Sequence, residues 1–321
     1  MSANIDTMAY AGATPWHGLG TSVKEVMTSE EAIKAGGLNW EVEKKKIHFE
    51  SKEKKEMIEF PGKFATVRTD KDVGLGIVGG QYTIMQNHEA FTFFDNIVTK
   101  KEAIYHTVGS LGKGQKIWLL AKLPKSIEVV HDDVVDQYLL LSNSHDGTSA
   151  VSVRFTPIRV VCQNTLVAAF NSSSYVVNVR HSSKMHGKVE EAQRILGISK
   201  EFYTHFEEMA KAMVKKPLTE DTLETLLKGI GYGKDKEDST RSSNIRDTIM
   251  KYIETGKGNT SKRVKGTLWA GVNGIVEYVD YGRLTKDMGD GVVSNRLESV
   301  WFGGGATIKL KAWNTAVELL K

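Results

Sequence analysis

The sequence has a single cysteine, Cys162, only five prolines and no long apolar run. One cysteine excludes an internal disulfide and fits a reducing cytosol. No stretch approaches the roughly eighteen apolar residues of a membrane-spanning helix, and the first thirty residues lack the basic start and apolar run of a signal peptide. We therefore expect a cytoplasmic protein that does not contact a membrane.

The remaining composition is that of an ordinary globular protein. The chain has 321 residues, of which 40% are hydrophobic and 26% are charged, and this excludes a collagen-like or wholly disordered protein. A chain of this length buries enough surface to fold without a metal or a disulfide, and about two domains are expected. The formal net charge of +4 is too small by itself to indicate a nucleic-acid partner.

The positive charge is concentrated in two segments. Residues 44–55 contain six lysines and two glutamates, and residues 241–265 contain seven basic residues against Asp247 and Glu254. Such clusters are typical either of solvated loops and hairpin tips or of patches that bind polyanions. The second segment, which includes Lys262 and Arg263, is a candidate for contact with DNA.

The hydrophobic pattern divides the chain into a strand-rich first part and a helical second part. Short alternating segments bounded by glycine and aspartate turns predict strands, among them 39–49, 73–79 and 127–142. The predicted helices cover residues 84–98, 160–170, 186–214, 220–230, 243–256, 266–281 and 305–320. We predict an α+β fold: a β-rich antiparallel core domain (1–185), crossed by a long helix, and a helical C-terminal region (186–321).

Strand periodicity gives the predicted strands 115–123, 149–156 and 175–181 one polar face each, and every such face carries a cation. If these strands are neighbours, the cations would bind phosphates and Trp118 would stack on a base. The alternative is an ordinary half-exposed sheet face with Trp118 packed under a helix. The predicted nucleic-acid-binding residues are Arg154, Arg159, Arg180, Lys184, Lys116, Lys122, Trp118, Lys262 and Arg263.

Signatures of catalysis are scarce. The sequence has no HExxH, paired CxxC, GxSxG or GxxxxGK[ST] motif, and the apolar neighbourhood of Cys162 is typical of a packing thiol. His145, Asp146 and His181 could form a metal or acid–base site only if the fold brought them together. We predict a protein that is not an enzyme, with no catalytic residue, no metal site and no cofactor.

Several segments resemble one known family. They are Thr14–Gly20, Gly80–Asn87, Arg159–Leu166, Arg180–His181, Thr267–Ala270, Glu277–Asp280 and Arg296–Gly303. Together they resemble the phage/plasmid-like proteins of the domain-of-unknown-function 932 family, over nearly the whole chain. The resemblance implies a bacteriophage, prophage or plasmid origin, and it implies no established activity.

A looser similarity is to phage single-strand annealing proteins of the Red-beta kind, although no motif matches at residue level. Those proteins form rings or helical filaments that hold DNA in a basic groove. The leading hypothesis is a DNA-recombination protein that binds single-stranded DNA and promotes strand annealing without nucleotide hydrolysis. We expect a homo-oligomer, with a phage exonuclease or a host protein as a further partner. The alternatives are a non-enzymatic phage protein that modulates a host protein, and a metal-dependent nuclease.

Overall fold

The computed structural model describes residues 5–12, 20–23, 27–97, 103–149, 151–159, 164–165, 176–179, 188–234, 239–283 and 296–321. The strands are β1 (Ile5–Ala11), β2 (Thr21–Val23), β3 (Val42–Ser51), β4 (Glu56–Arg68), β5 (Val73–Gly79), β6 (Ile104–Leu111), β7 (Lys116–Val130), β8 (Asp133–Ser144), β9 (Val151–Arg159), β10 (Asn164–Thr165) and β11 (Val176–Val179). The helices are α1 (Ser29–Ala35), α2 (Asn87–Ile97), α3 (Lys188–Lys215), α4 (Glu220–Gly229), α5 (Thr240–Thr255), α6 (Leu268–Glu277), α7 (Arg296–Trp301) and α8 (Gly304–Leu319).

The strands form two sheets. The main sheet has eight strands in the order β10-β9-β8-β7-β6-β1-β2, and β11 also pairs with β9. The smaller sheet has the order β3-β4-β5. Every pairing is antiparallel except that of β1 with β2. The predicted α+β class, with a β-rich core and a helical C-terminal region, is confirmed.

The long helix α3 lies against one face of the main sheet. Aromatic side chains on its inner stripe make the contact, with the ring of Phe202 5.3 Å from that of Phe155 in β9. The Tyr203 hydroxyl accepts a hydrogen bond from the backbone N–H of Tyr138 (2.9 Å) and donates one to its carbonyl (2.6 Å). These buried bonds satisfy polar groups that would otherwise be costly to bury, and they fix where the helix crosses β8.

The helical C-terminal region continues from the same core. The rings of Phe206 in α3 and Trp313 in α8 stack at 4.8 Å, and Trp269 in α6 contacts both rings edge-on. The indole N–H of Trp269 donates to the carboxylate of Asp133 in β8 at 2.8 Å. Among the described residues, no helix is long and apolar enough to cross a bilayer.

Arg68 connects the two sheets. It extends from β4 to Asp6 of β1, with 2.6 Å between Nη1 and Oδ2, and its guanidinium stacks on Trp40 at 4.3 Å. Asp70 accepts two further hydrogen bonds from the Arg68 guanidinium. The side chain is almost fully buried, so these contacts replace the water that an exposed guanidinium would have.

Three local predictions differ from the structure. Residues 127–142 are not one strand, because Asp132 adopts a left-handed φ of 71° and turns the chain from β7 into β8. The helix predicted over 160–170 is wrong at 164–165, which pair with β9 as β10. The helix predicted over 266–281 ends at Glu277 and continues as a π-helical turn, Tyr278–Gly282. The division at residue 185 falls outside the described residues and stays a prediction, and Cys162 also falls outside them.

Candidate nucleic-acid interface

The structure brings part of the predicted basic face together. Strands β7, β8 and β9 are adjacent, and cross-strand pairing places Lys122, Tyr138 and Thr156 in one row of side chains. Because successive side chains alternate between faces, Lys116, Trp118 and Arg154 lie on the same side of the sheet. We call this side, opposite to the one that packs on α3, the second face.

Trp118 on the second face cannot stack on a base. Its side chain is 0% exposed, and its indole N–H donates to Thr107 Oγ1 at 3.2 Å. The ring of Trp301 from α7 covers it edge-on at 5.7 Å, within a small apolar cluster that also includes Leu120 and Leu140. The stacking role predicted for Trp118 is wrong, and the alternative of packing under a helix is confirmed.

The two lysines of β7 are already neutralised. Lys116 forms a short ion pair with Glu298 of α7, and Lys122 contacts Asp136 of β8 with 2.6 Å between Nζ and Oδ2. All four side chains are at least partly buried. A phosphate would have to displace a carboxylate at each position, so the predicted role of these lysines in an open basic trough is not supported by their geometry.

The structure places the predicted arginines in different surroundings. Arg154 is half-buried, its guanidinium lies 5.6 Å from the ring of Phe302, and burial lowers its pKa from the ordinary arginine value. Arg159 ends β9 and pairs with Val135 and Asn164 along the backbone. Arg180 and Lys184 lie outside the described residues.

His106 on β6, whose ring contacts that of Tyr138 on the second face, is expected to make the stability of the protein depend on pH. Burial, reinforced by the nearby charge of Lys122, lowers its pKa from 6.5 to about 4. The imidazole is therefore neutral in the folded protein, whereas in the unfolded chain it takes up a proton below about pH 6.5. Its contribution to stability is complete above pH 6.5 and is lost as the pH falls towards 4, by up to about 3 kcal/mol.

We expect His106→Gln to flatten this acid response. Urea unfolding of both proteins at pH 7 and pH 4.5 measures the difference in the free energy of unfolding. His131, which is exposed on the β7–β8 turn, is the matched control, and His131→Gln should keep the acid response of the natural protein. Equal pH dependence in all three proteins would contradict the assignment of the acid response to His106.

Exposed cations are concentrated instead in one loop of the helical region, residues 256–267, which we call the basic loop. It contains four basic residues and no acidic residue: Lys257, Lys262, Arg263 and Lys265. All four are exposed, and none of them forms an ion pair with any carboxylate among the described residues. The predictions for Lys262 and Arg263 therefore remain compatible with their positions.

Two fully buried side chains hold the backbone of the basic loop. Asn259 donates its Nδ2 hydrogens to the carbonyls of Ile253 (3.2 Å) and Ala270 (2.9 Å), at the end of α5 and in α6. Glu277 accepts the backbone N–H of Lys257 at 3.0 Å, and it packs so tightly on Gly256 that a Cβ there would lie 2.5 Å from Oε2. The loop is therefore pre-organised, and its cations need little reordering to meet an anion.

Further bonds tie the second end of the loop to the segment after α3. The N–H of Leu218 donates to the carbonyl of Gly266 at 2.9 Å, and the N–H of Leu268 donates to that of Lys216 at 2.8 Å. Gly266 has a φ of +74°, a conformation that a side chain would strain. The loop is thus anchored at both ends on helices of the core.

We expect Asn259→Ala to lower the free energy of unfolding by about 1–3 kcal/mol, because buried carbonyls would lose their donor. Chemical denaturation measures the loss. Asn244→Ala, on the exposed side of α5, is the matched control and should change stability by less than about 0.5 kcal/mol. An unchanged free energy of unfolding in Asn259→Ala would show that the loop does not depend on this anchor.

Comparison with known proteins adds one finding. The family model described as "Domain of unknown function (DUF932)" matches residues 74–301, which is more than half of the chain. The chain belongs to the DUF932 family. No curated protein and no solved structure matched. The family resemblance is therefore confirmed, whereas the similarity to Red-beta-type annealing proteins stays a prediction.

In this DUF932 protein, two of the residues that could have formed a hydrolase site make hydrogen bonds within the fold. His145 is buried, and its Nε2 lies 2.9 Å from Oδ1 of Asn87. Asp146 accepts bonds from Ser144 and from the backbone N–H of Thr148, as a turn-forming aspartate does. His181 lies outside the described residues, among which no three His, Cys, Asp or Glu side chains are grouped to hold a metal.

Sequence reasoning named Lys262 and Arg263 but missed the side chains that position them. The signal available was the twelve-residue stretch 256–267 without an acid, between two periodic helices. Nothing in the local pattern marked Asn259 of this DUF932 protein, and Glu277 was marked only as part of a family segment, because the groups that these two side chains hold lie elsewhere in the chain.

Proposed function

We propose that this protein binds single-stranded nucleic acid through the phosphate backbone and is not an enzyme. The proposal rests on the basic loop, whose four exposed cations have no carboxylate partner among the described residues. Cations on a rigid loop bind phosphates through charge and counterion release without reading the bases. Bases that are not read stay free to pair, which is what strand annealing requires.

Fluorescence anisotropy of a labelled 40-nucleotide DNA strand tests the proposal. We expect measurable affinity at low salt and a linear fall of log K with log salt concentration. A second assay follows the annealing of complementary strands without nucleotide or added metal. Absence of binding at low salt, or affinity that does not change with salt, would contradict the proposal.

A second candidate function, binding of a protein, is favoured by the β3–β4 ribbon, residues 47–60. Only residues 63–68 of β4 pair with β5, so the ribbon extends beyond the small sheet as two strands. Phe49 and Phe60 are 48% and 47% exposed, with ring centroids 6.4 Å apart, and Phe49 pairs with Ile58 across the strands. A two-stranded ribbon with an open apolar face is marginal in water and gains stability from a partner.

The charge of the ribbon suits a protein better than a polyanion. Residues 47–60 contain three lysines and four glutamates, and in the adjoining strand Lys45 and Lys46 already pair with acids. The 44–55 segment therefore lies in a hairpin, as one of the two interpretations of this segment predicted, and the acids of the facing strand offset its lysines. A second copy of the chain is the simplest partner, in line with the predicted homo-oligomer, and a host protein is the other.

We expect the double substitution Phe49→Ser, Phe60→Ser to weaken self-association at least tenfold, since each aromatic anchor typically contributes more than about 1 kcal/mol. Mass photometry over a dilution series measures it. Ile77→Ser is the matched control, because Ile77 is an exposed apolar residue of β5 outside the ribbon. Unchanged assembly in the double variant would remove the ribbon from the interface.

A further inference from the structure

Arg154 is a half-buried charged group that has no counter-charge among the described residues. It lies in the middle of β9 on the second face, and Phe302 covers its guanidinium. No carboxylate among the described residues lies within 4 Å of it, and the nearest acid on the neighbouring strand, Asp136, is taken by Lys122 and Ser126. A half-buried cation of this kind is costly unless an anion joins it.

The hydrogen bonding of this layer is also incomplete. Nε of the Arg154 guanidinium and the indole Nε1 of Trp301 are both buried, and neither has a hydrogen-bond partner among the described residues. The two side chains share one neighbour, because the ring of Phe302 contacts Arg154 and lies 6.2 Å from that of Trp301. Buried donors are nearly always paired, so an unpaired Nε in the guanidinium and an unpaired indole N–H in the same layer indicate a missing acceptor.

Residues with hydroxyl groups flank Arg154 in the strand register of the second face. Ser142 and Ser152 face each other on one side of it, with their oxygens 3.0 Å apart, and Tyr138 and Thr156 face each other on the other side. All four are buried. A guanidinium fork with hydroxyl and indole donors nearby matches the oxygens of a tetrahedral oxyanion.

We propose that Arg154 anchors a phosphate-binding site on the second face of the main sheet, beneath Trp301 and Phe302. The site is separate from the basic loop and stands whether or not that loop binds nucleic acid. The same chemistry would accept a free phosphate or a phosphate of a nucleic-acid strand.

Thermal unfolding of the full-length protein in phosphate and in chloride, at equal ionic strength and pH, tests the site. We expect phosphate in hundredfold excess over its Kd to raise the Tm by about 4 °C. Arg154→Gln should abolish this rise. In chloride its Tm should equal or exceed that of the natural protein, because the substitution removes an unpaired buried cation.

A purely structural role for Arg154 predicts the opposite change of Tm in chloride. If its contact with Phe302 only stabilised the fold, Arg154→Gln would lower the Tm in chloride. Phosphate, which stabilises folded proteins in general, would then raise the Tm of the natural protein and of the variant equally. Lys125→Gln, an exposed change on β7, is the matched control and should keep the phosphate response. Should Arg154→Gln fail to fold, Arg154→Lys keeps the charge without the fork, and its phosphate affinity should fall about tenfold. A full phosphate response in either Arg154 variant overturns the site.

A competition experiment identifies the source of the phosphate. If a nucleic-acid strand supplies it, Arg154→Gln lowers affinity for the 40-nucleotide strand and free phosphate competes with that strand. If a small phosphate supplies it, strand affinity is unchanged. The variant of the basic loop that lacks its four cations should keep the phosphate response in both cases, so failure of the loop proposal and failure of this one give different results.

Discussion

Replacing Lys257, Lys262, Arg263 and Lys265 together by glutamine is expected to reduce affinity for single-stranded DNA on the order of several hundredfold at about 0.1 M salt. Each phosphate contact contributes about 0.7 to the slope of log K against log salt on a single strand, so four lost contacts lower the slope by about 3. The substituted side chains are exposed and have no ion-pair partner among the described residues, so stability should change little. Anisotropy across a salt series measures affinity and slope together.

The control for this variant loses the same number of positive charges at positions outside the basic loop. Lys34, Lys52, Lys125 and Lys200 are exposed lysines outside the basic loop, and the quadruple glutamine variant at these positions lowers the net charge by the same four units. We expect it to keep most of the affinity. Equal losses in the two variants would mean that overall charge, and not the basic loop, binds the strand.

The largest effect on stability is expected at the ion pair between Lys309 of α8 and Asp280 of the π-helical turn. Their atoms Nζ and Oδ1 are 2.8 Å apart, and the side chains are only 1% and 3% exposed. Burial lowers the pKa of Lys309, although the carboxylate of Asp280 opposes that shift. We expect Lys309→Met to lower the free energy of unfolding by about 3–5 kcal/mol, because it removes the ammonium group that pairs with the buried carboxylate of Asp280.

The double variant Lys309→Met, Asp280→Leu should recover most of this loss, since two apolar side chains replace two paired charges. Lys211→Met provides the comparison at the surface. Lys211 pairs with Glu207 one turn away on the exposed side of α3, and removing such a surface pair costs less than about 1 kcal/mol. Urea denaturation of the four proteins at pH 7 measures the differences. A loss of stability at Lys309 no larger than that at Lys211 would contradict the expected cost of breaking a buried ion pair.

Much of the fold could be predicted because it depends on local periodicity. The strand at 73–79 and the helices α3, α4 and α8 begin and end within two residues of their predicted bounds. Thr219 caps α4 as its sequence indicates, accepting the N–H of Thr222. These features involve neighbours in the chain, so the local pattern contains the interaction that forms them. The prediction of one strand over 127–142, and that of a helix at residues 164–165, were wrong because an apolar run alone distinguishes neither one strand from two nor a helix from a strand.

The candidate site could be predicted only in part. Alternation correctly placed Lys116, Trp118 and Arg154 on one face of the sheet, but it could not show what covers that face. Glu298, which neutralises Lys116, is 182 residues away in the chain. The basic loop, by contrast, was visible as a segment without acids, and it remains unpaired in the described structure.

By itself, the amino-acid sequence determined the α+β class, the family and the basic segment 241–265 that contains the cations of the loop, because each depends on residue types and spacings along the chain. Only the tertiary structure decided which cations are available to a ligand. Whether a lysine is free or neutralised depends on the carboxylates and rings that packing brings within a few ångströms of it. Those neighbours come from distant segments, such as Glu298 on Lys116 and Phe302 on Arg154.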